Sequence, residues 1–311
     1  MYNYTMKNIL VTGGAGFIGS HLVDALIIKG YSVVIIDDLS SGNQNNCNQE
    51  AVFVCGDITD APTVNTLFQK HGPFDAIIHL AAQKSVTASV RDPIHDAQIN
   101  IIGSLQILEA AKKQHVIKII FSSTGGALYG DGVAIPTSED ARIEPLSPYG
   151  IAKYSIENYL HFYKEAGMIT QILRYANVYG PRQDPHGEAG VIAIFCQKII
   201  AGDDMTIFGD GKQTRDFIYV GDVVAANIAA LESGNSGTWN IGTGKETSVN
   251  DIAHVLLKNG SSPKSKIIYA PARLGELKRS CLAVTKVKKE LTWEPKVTLA
   301  DGLKNTYDSF R

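Results

Sequence analysis

The first half of the chain alternates short apolar runs with amphipathic stretches. Residues 8–11, 32–36, 52–54, 76–80, 118–121 and 170–173 predict strands. They are rich in Val and Ile, and several lack any polar alternation, which is the pattern of strands buried on both faces. Between them, 18–29, 61–70, 97–114 and 149–164 predict helices. Strand, helix and strand in repetition imply right-handed crossovers and a parallel sheet. After Tyr175 the rhythm changes. Gly, Pro and Asp crowd the stretch from Gly180 to Gly211, and short elements follow at 206–208, 218–220, 222–231, 239–241, 249–257, 266–269 and 284–291. The expected fold is α/β: a doubly wound parallel sheet over 1–175, then a smaller α/β unit over 176–311. Segments near 211–245 are expected to return to the first unit. Residues 40–49 are polar and predict a loop.

Composition narrows the classes. A length of 311 residues suits about two structural units. Lys plus Arg is 29 against 31 for Asp plus Glu, a net charge of -2, which argues against electrostatic nucleic-acid binding. Charged residues are 19% and hydrophobic ones 44%, so global disorder is excluded. No apolar run reaches the roughly 18 residues of a membrane span, and the polar start lacks a signal-peptide core. Cys47, Cys55, Cys196 and Cys281 are scattered, and the eight histidines show no ligand spacing. No metal site is expected. The chain reads as a cytoplasmic, enzyme-like protein.

The first strand runs into Gly13-Gly14-Ala15-Gly16-Phe17-Ile18-Gly19. Missing side chains let such a turn approach a diphosphate closely, and the helix after it offers unpaired N–H groups and a positive dipole end. Gly19 lets that helix pack on the strand. Strand before and helix after is the context that gives this loop meaning. The second strand ends in Asp37-Asp38, 18 residues beyond Gly19. A carboxylate there can accept the ribose hydroxyls of an adenosine and would repel a 2′-phosphate, which favours NAD over NADP. Asp57, followed by Ile58, ends the third strand where it could receive the adenine amino group.

Tyr149 and Lys153 form Y-x-x-x-K. On a helix they lie on one face. A free tyrosine ionises near ~10 and is a poor base, but an ammonium and an oxidised nicotinamide beside it would favour the phenolate. Tyr149 could then exchange a proton with a sugar or alcohol hydroxyl, while Lys153 holds the nicotinamide ribose. The fifth strand ends in Ser122-Ser123-Thr124, at the edge where open α/β sheets bind ligands. Thr124 could bond the same substrate hydroxyl as Tyr149.

With these motifs the chain resembles the extended short-chain dehydrogenase/reductase family from Lys7 to Phe310. The resemblance is carried by TGGAGFIGSHL (12–22), DDLSSG (37–42), GDI (56–58), HLAAQKSV (79–86), FSSTGGALYG (121–130), SPYGIAK (147–153), LRYANVYGPRQ (173–183), IFGDGKQTRDFIYVGDV (207–223) and NIGTG (240–244). It implies a Rossmann domain that holds NAD and a C-terminal domain that holds a nucleotide sugar. It implies Thr124, Tyr149 and Lys153 as the catalytic set. Leu80, Ala81, Ala82, Gln83 and Lys84 would line the NAD path, with Asn100 and Ser122 nearby and Tyr175 beside the nicotinamide. Asn177 would bind the sugar diphosphate, and Thr206, Ile207 and Phe208 would flank the uracil. Arg215 and Arg273 would clamp the diphosphate, and Glu276 would meet the uridine ribose.

The implied activity is reversible C4 epimerisation of UDP-hexoses, UDP-Glc and UDP-Gal, through a 4-keto sugar. Gly125-Gly126 after Thr124 departs from the Asp-Glu pair of the family's dehydratases, which argues against water loss. Ser280 falls where family members carry either a bulky tyrosine or a small residue. Its smallness implies room for a 2-acetamido group, and so UDP-GlcNAc and UDP-GalNAc as further substrates. Two other readings stand beside this one. One is a different enzyme on the same scaffold, a UDP-uronic-acid 4-epimerase or decarboxylase. The other is a non-catalytic NAD-binding redox sensor, against which the intact Thr124, Tyr149 and Lys153 argue. The resemblance also implies a homodimer built on the helices at 97–114 and 149–166.

Overall fold

The fold is described from a computed structural model covering residues 8–186, 190–259, 265–272 and 277–311. The chain opens with β1 (Asn8–Thr12), α1 (Phe17–Ile28), β2 (Ser32–Asp37), β3 (Val52–Cys55), α2 (Ala61–His71) and β4 (Ala76–His79). Then come α3 (Val86–Arg91), α4 (Pro93–Ala97), a π-helical stretch at Gln98–Gly103, α5 (Ser104–Lys113), β5 (Lys118–Thr124), α6 (Pro148–Glu165) and β6 (Ile169–Tyr175). The later elements are β7 (Asn177–Tyr179), α7 (Val191–Ala201), β8 (Met205–Phe208), β9 (Thr214–Arg215), β10 (Phe217–Tyr219), α8 (Val220–Glu232) and β11 (Gly237–Ile241). The last are β12 (Thr247–Ser248), α9 (Val249–Asn259), β13 (Ile267–Ala270), β14 (Arg279–Ser280), α10 (Thr285–Leu291) and α11 (Leu299–Ser309).

Seven strands form one parallel sheet in the order β11-β6-β5-β4-β1-β2-β3. The order reverses between β1 and β4, the switch point whose carboxyl ends open the binding crevice of doubly wound sheets. Ile9, Leu10 and Val11 of β1 are fully buried, as a strand covered by helices on both sides requires. Caps set several helix starts. Asp60 accepts from Thr63 N–H at α2, Ser147 from Gly150 N–H at α6 and Thr298 from Asp301 N–H at α11. Pro62 and Pro148 sit in the first turns of α2 and α6, where a missing N–H costs nothing.

The chain divides into two compact units. The first holds the described residues of 1–128, 145–174 and 224–239, around a core that includes Leu10, Ile36, Phe68, Ile77, Phe121 and Leu160. The second holds those of 129–144, 175–223 and 240–311, around Tyr179, Phe195, Ile207, Ile252, Leu303 and Tyr307. Most of α8 and the start of β11 return to the first unit, whereas 129–144 groups with the second although the sequence reading put it in the first.

Two other details differ from the periodicity. The helix expected at 97–114 is three pieces, with a π-helical turn between α4 and α5. Helices α7 and α11 were not expected. The α7 segment is apolar on most of its surface, with Gln197 and Lys198 as its polar side chains, so the stripe that it buries stands out little in the sequence.

Candidate active site

The glycine loop packs on the carboxyl end of β4. Gly13 has φ +72°, and a Cβ there would lie 2.7 Å from the Ala81 nitrogen. A Cβ on Gly19 would lie 2.1 Å from the Gly13 carbonyl oxygen, so only glycine lets α1 start this close to the loop. Gly16 is the N-cap of α1, no side chain caps the helix, and no acid lies in its first turn. Among the described residues no side chain caps its leading N–H groups, at Phe17 and Ile18. Asp37 steadies this loop, with Oδ2 accepting from Ala15 N–H at 3.0 Å and Oδ1 from Leu39 N–H at 2.9 Å. Two acceptor directions of its carboxylate remain for a ligand. Burial raises its pKa, against the lowering by those two N–H groups. Asp38 is exposed and accepts from Ser40 N–H and Oγ. Asp57 is exposed in the turn after β3 and accepts from Thr59 N–H at 2.7 Å, while Ile58 beside it is buried.

A buried hydrogen-bonded line runs on from the loop. Thr12 Oγ1 accepts from Leu80 and Ala81 N–H and meets His79 Nδ1 at 2.7 Å. His79 Nε2 meets Ser104 Oγ at 2.9 Å, and Ser104 Oγ donates to the Asn100 carbonyl at 2.7 Å. Asn100, inside the π-helical turn, accepts from Gln83 N–H at 3.0 Å and donates Nδ2 to the Gln83 carbonyl and to Asp96 Oδ1. The line therefore ties β1, the residues after β4 and the helical turn that follows α4 into one frame. Burial holds the His79 pKa down at about 3, with Lys153 adding to the effect, so the ring is neutral. Ala82 is half-buried and Lys84 exposed along the same segment.

Thr124 ends β5, and Tyr149 and Lys153 stand on the first turns of α6. The Thr124 hydroxyl oxygen accepts from Ala127 N–H at 3.3 Å, which leaves its own proton free to donate. Lys153 Nζ donates to the Ser122 carbonyl at 2.9 Å and lies 4.7 Å from the Phe121 ring centre and 5.9 Å from that of Tyr149. Burial lowers the Lys153 pKa to about 8, against Asp96 and Glu157, which raise it. Burial and the charge of Asp96 carry Tyr149 up to about 12. The ammonium of Lys153 alone therefore does not make a phenolate here, because desolvation outweighs it. One turn beyond Lys153, buried Glu157 takes Ser123 Oγ at 2.5 Å and holds Arg174 through Nε at 3.0 Å and Nη2 at 2.6 Å.

The nucleotide-sugar candidates lie in the second unit. Tyr175 is buried, and Asn177 is exposed on β7, its N–H bonded to the Asp216 carbonyl at 2.9 Å. On β8, Thr206 and Phe208 share one face, and Ile207 points the other way into the second core. Of the three residues expected to flank a uracil, Thr206 and Phe208 would therefore offer side chains and Ile207 its backbone, because strand side chains alternate. Arg215 on β9 is the parallel neighbour of Ser280 on β14, and Thr214 that of Arg279. Glu246 joins the two strands, accepting from Thr214 Oγ1 at 2.5 Å and Arg279 Nε at 2.8 Å. Asp216 takes N–H bonds from Thr243, Gly244 and Leu282, which fixes the loop after β11. Arg273 and Glu276 lie outside the described residues.

Asp96, Glu157, Arg174, Asp216 and Glu246 were not singled out from the sequence. One signal was available: Arg174 is a lone charge in an apolar strand. Among the described residues no three His, Cys, Asp or Glu are grouped to hold a metal ion, and no helix is long and apolar enough to cross a membrane.

Residues 9–242 match the NAD dependent epimerase/dehydratase family. A putative UDP-glucose 4-epimerase of Methanocaldococcus jannaschii is 48% identical over 297 residues, covering 95% of this chain and 96% of that one. A UDP-glucose 4-epimerase of Mycolicibacterium smegmatis is 44% identical over 309 residues, covering 97% and 98%. The crystal structure of a UDP-glucose 4-epimerase with UDP-glucose from Thermotoga maritima superposes with a TM-score of 0.94 at 52% identity, covering 97% and 98%.

Proposed function

We propose that this chain, which belongs to the NAD dependent epimerase/dehydratase family, interconverts UDP-hexoses at C4. The observation that carries the proposal is the cluster of Thr124, Tyr149 and Lys153 at the carboxyl end of β5 and the start of α6, with Gly125-Gly126 in place of an acidic pair. It offers proton exchange with an alcohol and nothing to drive loss of water. The 48% and 52% identical relatives, both named for UDP-glucose 4-epimerisation, support the same choice.

The residues present fit NAD. The uncapped N-terminus of α1 suits a diphosphate, and the glycine positions leave no space for side chains that would fill the cradle. Gly13, Gly16, Phe17, Ile18 and Gly19 would hold the diphosphate and Asp37 and Asp38 the adenosine ribose, with Asp57 and Ile58 at the adenine. Leu80, Ala81, Ala82, Lys84, Asn100, Ser122 and Tyr175 would line the rest. When bound, NAD would supply a hydride acceptor and donor and a second positive charge beside Tyr149.

Lys153 spends one of its three donors on the Ser122 carbonyl and keeps two for ribose hydroxyls. Thr124 donates to the sugar O4 and orients it. Tyr149 takes the O4 proton as C4 gives up its hydride, leaving a 4-keto sugar. After the sugar turns, C4 receives a hydride on the opposite face and Tyr149 returns the proton. Net redox change is zero. Arg215, with Asn177, Thr206, Phe208 and the backbone of Ile207, would keep the UDP in place during the turn, together with Arg273 and Glu276.

We extend the reading to UDP-GlcNAc and UDP-GalNAc, because Ser280, the strand neighbour of Arg215, is small and would leave room at the sugar's 2-position. Exposed Val90, Ile94, Ile151, Tyr159 and Phe162 on α3, α4 and α6 make a surface suited to a homodimer.

The test uses purified protein without added cofactor, given UDP-Glc or UDP-GlcNAc, with the C4 epimers separated by chromatography. Conversion of both is expected, and Ser280→Tyr should abolish the second alone. No conversion of UDP-Glc, even after NAD is added, would refute the proposal. An unchanged Ser280→Tyr would refute the wider substrate range.

A further inference from the structure

We infer that Asp96 is a positioning residue of the reacting cluster, a buried carboxylate that acts as counter-charge to Lys153 and sets the pH range in which Tyr149 and Lys153 work. The inference deepens the 4-epimerase reading and rests on it.

Asp96 is 1% exposed, on the short helix α4 that packs against α6. Carboxylates are seldom buried this deeply unless they are paired. Its Oδ1 accepts two side-chain amides, Gln83 Nε2 at 2.8 Å and Asn100 Nδ2 at 2.9 Å. Its Oδ2 is buried with no hydrogen-bond partner. The Asn100 side-chain amide is in turn locked to the Gln83 backbone, accepting from its N–H and donating to its carbonyl, so the frame around the carboxylate is fixed. A charge held dry on one side must be balanced by the field around it.

The charged groups around it identify the source. Burial raises the Asp96 pKa, and the amides of Gln83 and Asn100, then the charges of Lys153 from α6 and His95 beside it on α4, act the other way. His95 is exposed and Lys153 is buried, so the interaction with Lys153 is the less screened. Arg91 and Asp92, where α3 ends, are exposed, and the π-helical turn carries no titratable side chain. His79, which also feels Lys153, is neutral. Glu157 also acts on Lys153, but both its oxygens are taken by Arg174 and Ser123. Asp96 is therefore the carboxylate whose charge is left for Lys153. It also acts on Tyr149, in the direction that keeps the phenol protonated.

The sign follows directly. Removing a negative charge lets nearby groups lose protons more readily, so Tyr149 and Lys153 both titrate at lower pH. Asp96→Asn is nearly isosteric, and its Oδ1 can keep both amide bonds. The experiment compares kcat for UDP-Glc in wild type and Asp96→Asn from about pH 5.5 to about pH 9.5. The expected result is a profile displaced toward acid by about one pH unit. A structural role alone would lower kcat and leave the limbs where they were. Superimposable limbs, or an alkaline displacement, in a protein whose wild type is active would overturn the inference and leave the 4-epimerase reading standing. A wild type that converts no UDP-hexose would overturn that reading and this inference with it. Should Asp96→Asn not fold, Asp96→Ser removes the charge with less bulk and carries the same expectation.

Discussion

The ion pair under helix α6 offers the strongest test of how the reacting residues are held. Glu157 and Arg174 have side-chain exposures of 1% and 5%, and the guanidinium meets the carboxylate at 3.0 and 2.6 Å. Ser123 adds a third bond to the same carboxylate from the end of β5. The trio therefore links α6, which carries Tyr149 and Lys153, to β6 and to the strand that ends in Thr124. Arg174→Met fills a similar volume and strands Glu157 without its cation. Breaking a buried pair from one side costs about 3–5 kcal/mol. With an unfolding entropy of about 2.1 cal/mol/K per residue, a chain this long should melt roughly 5–8 °C lower. Differential scanning calorimetry and urea titration would measure it, with each unfolding step fitted separately because the chain has two units. The double variant Arg174→Met, Glu157→Leu removes both charges and should recover most of the loss, giving a coupling energy well above that of an exposed pair. A single variant within about 1 kcal/mol of wild type, or a double variant whose losses simply add, would refute the argument.

Two further outcomes follow from other parts of the frame. Gly19→Ala places a carbon 2.1 Å from the Gly13 carbonyl oxygen and 2.8 Å from the Gly14 Cα, so α1 must move off the loop. The nucleotide released from purified protein on denaturation should fall at least about tenfold, equivalent to about 1.4 kcal/mol of binding. Gly234→Ala, with open space at its Cβ, should retain it. Equal cofactor content in the two variants would count against the packing argument. His79 titrates at about 3 in the folded chain against 6.5 unfolded. The unfolded state therefore binds more protons in that window. The stability His79 contributes is complete above about pH 6.5 and drains away by about 1.4 kcal/mol per pH unit below it. His79→Gln should flatten the fall of Tm between about pH 6.5 and pH 4, and parallel curves would contradict it.

Much of this was legible in the sequence because it rests on local rules. The strands β1, β2 and β4 of the large sheet hold continuous apolar runs, and the Gly13–Gly19 loop needs only its flanking strand and helix to be understood. Strands β9, β12 and β14 have two residues each, too few for any period to register. They carry Arg215 and Ser280 all the same, and their pairing is held by Asp216, next after β9, and Glu246, just before β12, whose bonding partners are distant in sequence. The turn at Gln98–Gly103 hides for another reason. A π-helical bond pattern shifts side chains by one position, and only the packing of Gly103 on Ile58 and the bonds of Asn100 make that shift worthwhile. The inward turn of Ile207 is legible, since the Met205–Phe208 strand alternates plainly.

The pair Tyr149 and Lys153 marks where local rules stop. Four residues apart on a helix, an ammonium and a phenol suggest a ready-made base. In the folded chain burial takes Lys153 to about 8 and Tyr149 to about 12, which is the reverse of what the base needs. The spacing supplies proximity, and the surroundings decide the charge. Asp96 supports the cation while opposing the phenolate, so the pair by itself favours ammonium and neutral phenol. On the proposed reading, Tyr149 would become a base only when further positive charge enters beside it. Proton abstraction would thereby be coupled to occupancy of the cofactor cradle, and the chain without cofactor would hold no buried phenolate that needs compensation.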